Sequence, residues 1–475
     1  MSYTRVPYWG THHTLHMLAL GVAFFLTLGL PAVSHESDPF SFSFDEDALF
    51  GSDEMITVVE TEDAPDPLAD ILMTETLRIG GSFSGSLQGD WQWNDPWSNS
   101  PLAELPDSIE PDSYGLSPSL SASLYFDARP SETTRFYGSA KSAWPFENTI
   151  DGVSVPDIQI FELFSDFNWD DKVFFRFGKQ TITWGVGYFF SPADVLNIQA
   201  IDPENPTMQR EGPVSIRAHY PIPGSQNNLW AYAVFDDPDM KPEDTALAAK
   251  AEFVLGPWEL GVGGWYRYSS QSPLRGMLTA SGSIGQVSLF GEASLSLGSE
   301  RKWVKDIIAP VLDAVSFRED DSSIFFKGSA GFMYANDDLK LSITGQYLYD
   351  AEGYATDDRL ALIDKANAVL DGAGDIGSML FKGLIAQSGR HYAAFNLNRT
   401  ELFTEDLSLN LFAMANLSDF SGFVRPGLSY QLFEGASLGL STLFAFGSED
   451  SEYIVLNDGP AVGITISSTL GSGQF

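Results

Sequence analysis

The sequence predicts an all-β fold, a transmembrane antiparallel β-barrel of about 18 strands. The first indication is strict alternation between Leu77 and Trp93, where large apolar residues occupy odd positions and polar residues occupy most even ones. The second is that such segments recur along the rest of the chain at the length of a membrane-crossing strand. The third is that the one long apolar stretch, Leu18–Leu30, is too short to cross a membrane comfortably as a helix. Alternation repeated in so many segments indicates that each strand has one lipid-facing and one water-facing side.

The N-terminal segments differ from this pattern. Residues 1–34 have the layout of a secretory signal peptide, with small residues Ala32 and Ser34 at the −3 and −1 positions of a cleavage site. An uncleaved anchor helix is the alternative. Residues 35–75 hold thirteen acidic side chains and no Lys or Arg, so we expect a disordered acidic periplasmic extension. Docking of its Phe-rich start on a partner or in the barrel mouth remains open. The barrel is assigned to residues 76–475.

Connection lengths predict the orientation of the barrel. Every second connection is short, such as Asp170-Asp171, whereas the intervening ones include the long segments 185–212, 299–322 and 350–389. Short periplasmic turns and long external loops are typical of bacterial barrels, which have even strand numbers. Eighteen strands, with 16 as the alternative count, place both termini in the periplasm.

Two of the long connections show helical spacing, so we expect the external loops to be partly helical. Their role would be a cap over the barrel mouth, with a partner-binding surface as the alternative. Segment 299–322 has one apolar stripe, interrupted by Pro310, and segment 350–389 has two, the first preceded by Asp357-Asp358. The stripes comprise Trp303, Ile307, Ile308, Val311, Leu312 and Val315; Leu360, Ile363, Asn367 and Leu370; and Ile376, Met379, Leu380 and Leu384.

The chain ends in an aromatic residue, Phe475, which resembles the insertion signal of outer-membrane barrels. The preceding apolar positions Val462, Ile464 and Ile466 are even-numbered, however, so they are out of phase with Phe475.

The net charge of −38 is unevenly distributed. On the lumen face inferred for the strands, twelve basic side chains stand against seven acidic ones, so the wall is basic while the loops and the N-terminal extension are acidic. Pairing across strands is the simpler explanation for any single charge, and Arg176 with Asp166, which flank the same tight turn, is the pair we expect.

The sharpest local motif begins at Arg176 and reads Arg-Phe-Gly-Lys-Gln-Thr-Ile-Thr-Trp-Gly. It resembles the R-x-G-(K/R)-Q-x-x-x-W-G element of several porin-like outer-membrane families, including alginate-export-like and uncharacterised barrels. The resemblance covers residues 176–213; beyond them only the architecture matches. Arg176, Gln180 and Trp184 share the lumen parity, whereas Lys179 has the lipid parity, so the predicted strand 172–183 should bulge or leave the hydrocarbon there.

The resemblance implies that the third external loop, 185–212, folds inward and narrows a channel. Its carboxylates would then face wall arginines and create a transverse field. A loop packed over the rim for stability alone is the alternative. The expected wall residues are Arg135, Arg176, Gln180, Arg217, Glu162 and Asp166, and the expected constriction-loop residues are Trp184, Asp194, Asp202, Glu204 and Arg210.

These observations favour an outer-membrane porin or porin-like channel for passive diffusion of small polar or charged solutes in a diderm bacterium. The alternative is a non-conducting barrel that acts as an adhesin through its external loops. Beyond the first 35 residues only His219 and His391 could serve as a histidine base, and neither lies in a catalytic motif, so no enzyme is expected. The expected partners are outer-membrane lipids, the barrel-assembly machinery and small solutes, with a homo-oligomer left open; no nucleic acid, metal or cofactor is expected.

Overall fold

Eighteen strands form one closed antiparallel sheet, which confirms the predicted fold class and strand number. The computed structural model describes residues 76–94, 111–150, 153–197, 199–208, 210–235, 241–307, 315–370, 389–448, 451–455 and 461–474. None of the helices in these ranges is long and apolar enough to cross a membrane. The predicted signal peptide and acidic extension lie outside the described residues.

The elements follow one another as a simple meander. The barrel strands are β1 (Leu77–Asn94), β2 (Ser113–Ser131), β3 (Thr134–Ala143), β6 (Gln159–Trp169), β7 (Val173–Lys179), β8 (Val214–Pro221), β9 (Asn228–Phe235), β10 (Ala246–Leu255), β11 (Trp258–Tyr266), β12 (Leu274–Ile284), β13 (Val287–Ile307), β14 (Val315–Asn336), β15 (Leu341–Asp350), β16 (His391–Arg399), β17 (Leu407–Asn416), β18 (Ser421–Phe433), β19 (Ala436–Phe446) and β20 (Ala461–Gln474). A separate hairpin comprises β4 (Glu147–Ile150) and β5 (Val153–Pro156), a 3-10 turn covers Pro242–Asp244, and the described helices are α1 (Thr356–Leu370) and α2 (Glu452–Val455).

The barrel closes where β1 pairs with β20. Gly85 lies opposite Gly471 and Ser86 opposite Thr469, so Leu470 is the extra residue of a β-bulge. Because opposite residues share a face, the lumen positions of β20 change from odd to even at this bulge. The bulge accounts for the change of phase near the C-terminus, although Phe475 itself lies outside the described residues.

The outward face of the barrel is apolar over its whole circumference. Large side chains such as Leu124, Phe177 and Leu278 are exposed there, as a lipid-facing surface requires. Exposed aromatic residues lie near both ends of the strands, including Tyr114 at the start of β2 and Trp169 at the end of β6. We call these two ends of the barrel the loop end and the turn end, according to the length of their connections.

The prediction of a helix in 299–322 was wrong for the described part of that segment. Residues up to Ile307 continue β13, residues from Val315 belong to β14, and Trp303 lies opposite Arg318 in an extended hairpin. Register shifts between Leu297 and Asp306 break the period of two, so the apolar residues are spaced as they would be in a helix. Residues 308–314 lie outside the described residues.

The helix predicted after Asp357-Asp358 is confirmed as α1. This helix packs against the extended hairpin, because Leu362 and Ile363 share a buried cluster with Trp303 and Val304. The second stripe of 350–389, residues 376–384, lies outside the described residues.

Candidate functional site

The segment that follows β7 lies inside the barrel. The predicted strand 172–183 ends at Lys179. The described residues of 180–213, which we call the inner loop, then cross the lumen before β8 begins. The side chains of Trp184 and Phe189 are each 1% exposed, which a loop resting on the outer rim would not achieve.

The two ends of the inner loop are held together beside the wall. Gln180 is fully buried and donates from Nε2 to Ser215 Oγ on β8 at 2.9 Å. Lys179, for which the sequence predicted a departure from the regular strand, forms an ion pair with Glu211. The Thr181 hydroxyl donates to the Arg210 carbonyl at 2.8 Å and so also joins the two ends of the inner loop.

Two apolar clusters attach the inner loop to one side of the barrel. Near its start, Ile182, Trp184, Ala193 and Leu196 pack against lumen-facing residues of β9–β12. Residues 186–190 pack against β13, β14 and β16–β20 and against α2. The wall side chains in these clusters include Tyr232, Ala248, Trp265 and Met277, and then Phe290, Met333, Tyr392, Phe412, Phe423 and Ile454. We call the wall from β9 to β20 the packed arc.

A carboxylate of the packed arc binds the main chain of the inner loop. Glu292 on β13 is 5% exposed and accepts hydrogen bonds from the main-chain N–H groups of Val186, Gly187 (2.5 Å) and Ala193 (2.9 Å). The Ser191 hydroxyl donates to the same carboxylate at 3.0 Å. Converging N–H groups of this kind form a cradle for an anion.

A neutral side chain completes this attachment. Gln346 Oε1 on β15 accepts hydrogen bonds from the N–H groups of residues 188–190 at 2.7–3.1 Å, and its Nε2 donates to the Phe190 carbonyl at 2.6 Å. Lys250 on β10 donates to the Trp184 carbonyl at 2.9 Å. Gln346 could not be recognised as an anchor from the sequence, since polar residues are common at lumen positions.

Gly185, the last residue of the motif, and Gly187 lie where neighbouring atoms leave no room for a Cβ atom. A Cβ on Gly185 would lie 2.0 Å from Ser191 Oγ and 2.4 Å from Glu292 Oε1. A Cβ on Gly187 would lie 2.0 Å from the Phe190 carbonyl oxygen. Any larger residue would therefore push the loop away from its carboxylate anchor.

The expected wall residues form a row on neighbouring strands. Arg135, Asp166, Arg176 and Arg217 lie opposite one another on β3, β6, β7 and β8. The predicted ion pair is present, with Arg176 Nε 2.6 Å from Asp166 Oδ1. Arg135 pairs with Asp127 at 2.9 Å and with Asp166 at 3.5 Å.

Two arginines of the row also contact aromatic rings, and the nearby wall residue Glu162 contacts the loop. The Arg217 guanidinium lies 5.4 Å from the centre of the Trp230 ring, and the Arg176 guanidinium lies 3.8 Å from that of Phe164. Glu162 accepts a hydrogen bond from the Thr181 N–H at 3.3 Å.

The expected constriction-loop carboxylates have partners of their own. Asp194 pairs with Arg210 at 2.5 Å within the loop, and Asp202 accepts from the Glu204 N–H at 3.0 Å. Glu204 forms an ion pair with Arg425 of β18, on the packed arc. Sequence reasoning did not find this last partner, which lies more than two hundred residues away along the chain.

The opposite side of the lumen is open. We call the strands β1, β2, β3 and β6–β8 the open arc. Several lumen-facing polar side chains are exposed on β1–β3, whereas Thr279, Ser329 and Thr344 at lumen positions of the packed arc are buried. The exposed residues are Ser84, Gln88, Ser117, Ser119 and Lys141. The accessible part of the lumen therefore runs between the inner loop and the open arc.

Both candidate histidines are held by hydrogen bonds. His219 Nε2 lies 2.9 Å from Asn228 Oδ1, and its ring stacks on Trp230 with 3.7 Å between centres. His391 Nδ1 lies 2.6 Å from the Tyr347 hydroxyl. These contacts are typical of structural histidines.

Comparisons with known proteins give similarity only at the level of structure. No protein-family model and no curated protein matches the sequence. The chain is similar to Pseudomonas aeruginosa OccK11 (OpdR), at 8% identity and a TM-score of 0.45, with 84% of this chain and 96% of that chain covered. It is also similar to Acinetobacter baumannii OccAB1, at 11% identity and a TM-score of 0.44, over 84% and 97% of the two chains. Salmonella typhi OmpF, in complex with daunomycin, shows 10% identity and a TM-score of 0.39 over 84% and 97%.

Proposed function

We propose that the protein is an outer-membrane porin-like channel and that small polar or charged solutes diffuse between the inner loop and the open arc. The observation that carries the proposal is the asymmetry of the lumen, where one side of the wall is covered by the loop and the other presents exposed polar side chains. A non-conducting adhesin would not need a polar, accessible passage along one arc.

The charges of the open arc favour anions in this passage. The row of Arg135, Arg176 and Arg217 contains a single carboxylate, Asp166, and the neighbouring Asp127 is shared between Arg135 and Arg129. In a narrow passage, the distance between a fixed charge and a passing ion is shorter than the Debye length of about 8 Å. Salt therefore screens the charge little, and the charge influences passing ions strongly. Trp184, Asp194 and Glu204 would contribute as parts of the loop that narrows the lumen.

The remaining assignments complete this proposal. The turn end faces the periplasm, both termini lie there, residues 1–34 are removed as a signal peptide, and residues 35–75 form an acidic extension. Lipids of the outer membrane surround the apolar face, and the barrel-assembly machinery inserts the chain. No catalytic role is proposed.

Reversal potentials in planar bilayers under a salt gradient test the proposal. Replacing Arg135, Arg176 and Arg217 together by Gln should shift the reversal potential towards cation preference. Neutralising Asp194, Asp202 and Glu204 should shift it the other way.

A matched control removes three cations from ion pairs outside the lumen row, Lys172, Lys302 and Lys365, and changes the total charge equally. It should leave the reversal potential unchanged. A wild-type protein that assembles but conducts no ions would refute the channel proposal, and equal shifts in the row variant and the control would refute the role of the row.

A further inference from the structure

Glu292 differs from the other lumen-facing carboxylates of the described residues in the number of inner-loop donors that converge on it. The described ion pairs of Asp127, Asp166 and Glu252 are formed with arginine or lysine side chains of the wall. Glu292 instead accepts hydrogen bonds from three main-chain N–H groups and one hydroxyl between Val186 and Ala193.

Glu292 and Gln346 hold the loop against the wall, and they also fix the course of its main chain. The donors come from both limbs of the bend between Val186 and Ala193, and Gln346 binds the residues between them, 188–190. Charge-assisted hydrogen bonds are shorter and stronger than neutral ones, so the carboxylate is the stronger of the two anchors.

The tip of the loop is held differently. Its connection to the packed arc is the ion pair of Glu204 with Arg425, whose side chains are 33% and 39% exposed. Water and salt weaken such a pair, whereas the Glu292 carboxylate is shielded from both.

We propose that Glu292, assisted by Gln346, is the positioning residue that sets the bore of the channel. Glu292 holds the loop against the packed arc, and the distance between the loop and the open arc then defines the passage. This inference rests on the proposed function and adds to it the residue that determines the size limit for solutes.

The test measures single-channel conductance and the size of the neutral polyethylene glycol that still enters the channel. Glu292→Ala and Glu292→Gln should change the conductance by roughly two-fold and shift the polymer cut-off. Polyethylene glycol carries no charge, so a shift of its cut-off reports the bore and is insensitive to the lost carboxylate. Glu292→Asp, which retains the charge on a shorter side chain, should fall between wild type and Glu292→Ala.

Glu259→Gln is the matched control, because it removes a lumen-position carboxylate of β11 for which the described residues show no bond to the inner loop. It should retain the wild-type polymer cut-off. Heat-modifiable migration on a gel first establishes that each variant has assembled. If Glu292→Ala does not assemble, Gln346→Ala, which removes only neutral hydrogen bonds, decides the question.

Unchanged conductance and cut-off in assembled Glu292→Ala, or in Gln346→Ala where the former does not assemble, would overturn the inference while leaving the channel intact. A wild-type barrel that conducts nothing would overturn the proposed function instead.

Discussion

The packed arc and the open arc belong to one sheet, yet their lumen faces have different compositions. The packed arc presents Trp265, Phe290, Phe412 and Phe423 to the interior, whereas β1 and β2 of the open arc present serines and glutamine. In a barrel, the lipid-facing side is apolar everywhere, so differences of function must be found on the other side. In the described residues, large apolar side chains at lumen positions lie where the inner loop packs, and exposed polar side chains lie on β1 and β2, away from it.

The largest effect is expected from a substitution at the centre of the packed arc. Phe189→Ala should destabilise the protein by about 3–5 kcal/mol, because a fully buried aromatic ring is removed from a close-packed cluster. Urea unfolding in lipid vesicles measures this change. Ser84→Ala, at an exposed position of the open arc, should remain within about 0.5 kcal/mol of wild type. Similar losses for both variants would show that the two arcs do not differ in packing.

A smaller effect is expected from a single added methyl group. Gly185→Ala should cost about 1–3 kcal/mol, because its Cβ would overlap Ser191 and Glu292 and force the loop to move. Gly115→Ala on β2 is the control, since a Cβ there meets nothing within 4 Å. The same unfolding experiment applies, and a Gly185→Ala variant as stable as Gly115→Ala would contradict the close approach described for the motif.

The smallest effect is expected at the loop end of the packed arc, where Ile454 of α2 lies in the apolar cluster. Burial raises the pKa of Glu452 above its ordinary 4.5, and the nearby Asp419 raises it further, while the Tyr392 hydroxyl, Asn416 and Arg359 oppose the shift. The folded state therefore binds the proton more tightly than the unfolded state. The resulting stabilisation is complete below the unfolded pKa and is lost as pH rises through the folded one.

Hydrogen-exchange protection of residues 451–455 should accordingly be higher at about pH 5 than at about pH 7.5 once intrinsic rates are corrected. Glu452→Gln, which is neutral at both values, should remove the difference. A pH dependence that survives in Glu452→Gln would assign the effect to another group.

The fold could be predicted from the sequence because the lipid bilayer imposes one pattern on every strand. Contacts between residues that are close in the sequence could also be predicted. Arg176 and Asp166 flank the same tight turn, and their ion pair is present at 2.6 Å. The extended hairpin around Trp303 was not accessible, because bulges give its apolar residues a helical spacing.

The anchors of the inner loop could not be predicted for a different reason. A glutamate such as Glu292 at a lumen position resembles any other charged wall residue, and its partners are main-chain groups, which carry no sequence signal. The glycines of the motif were visible, but the carboxylate that requires Gly185 lies on another strand.

The closure of β1 on β20 has a consequence for the order of assembly. Ser82 lies opposite Gln474, so this pairing joins the first strand of the barrel to the last. Its formation therefore has the highest entropic cost of loop closure of any strand pair in the sheet. The contacts of Val186 with Glu292 and of Tyr188 with Gln346 span 106 and 158 residues, which is far less. Contacts of shorter span form sooner on average. The inner loop should therefore reach its anchors while the sheet is still open, and the barrel then closes around a loop that is already in place.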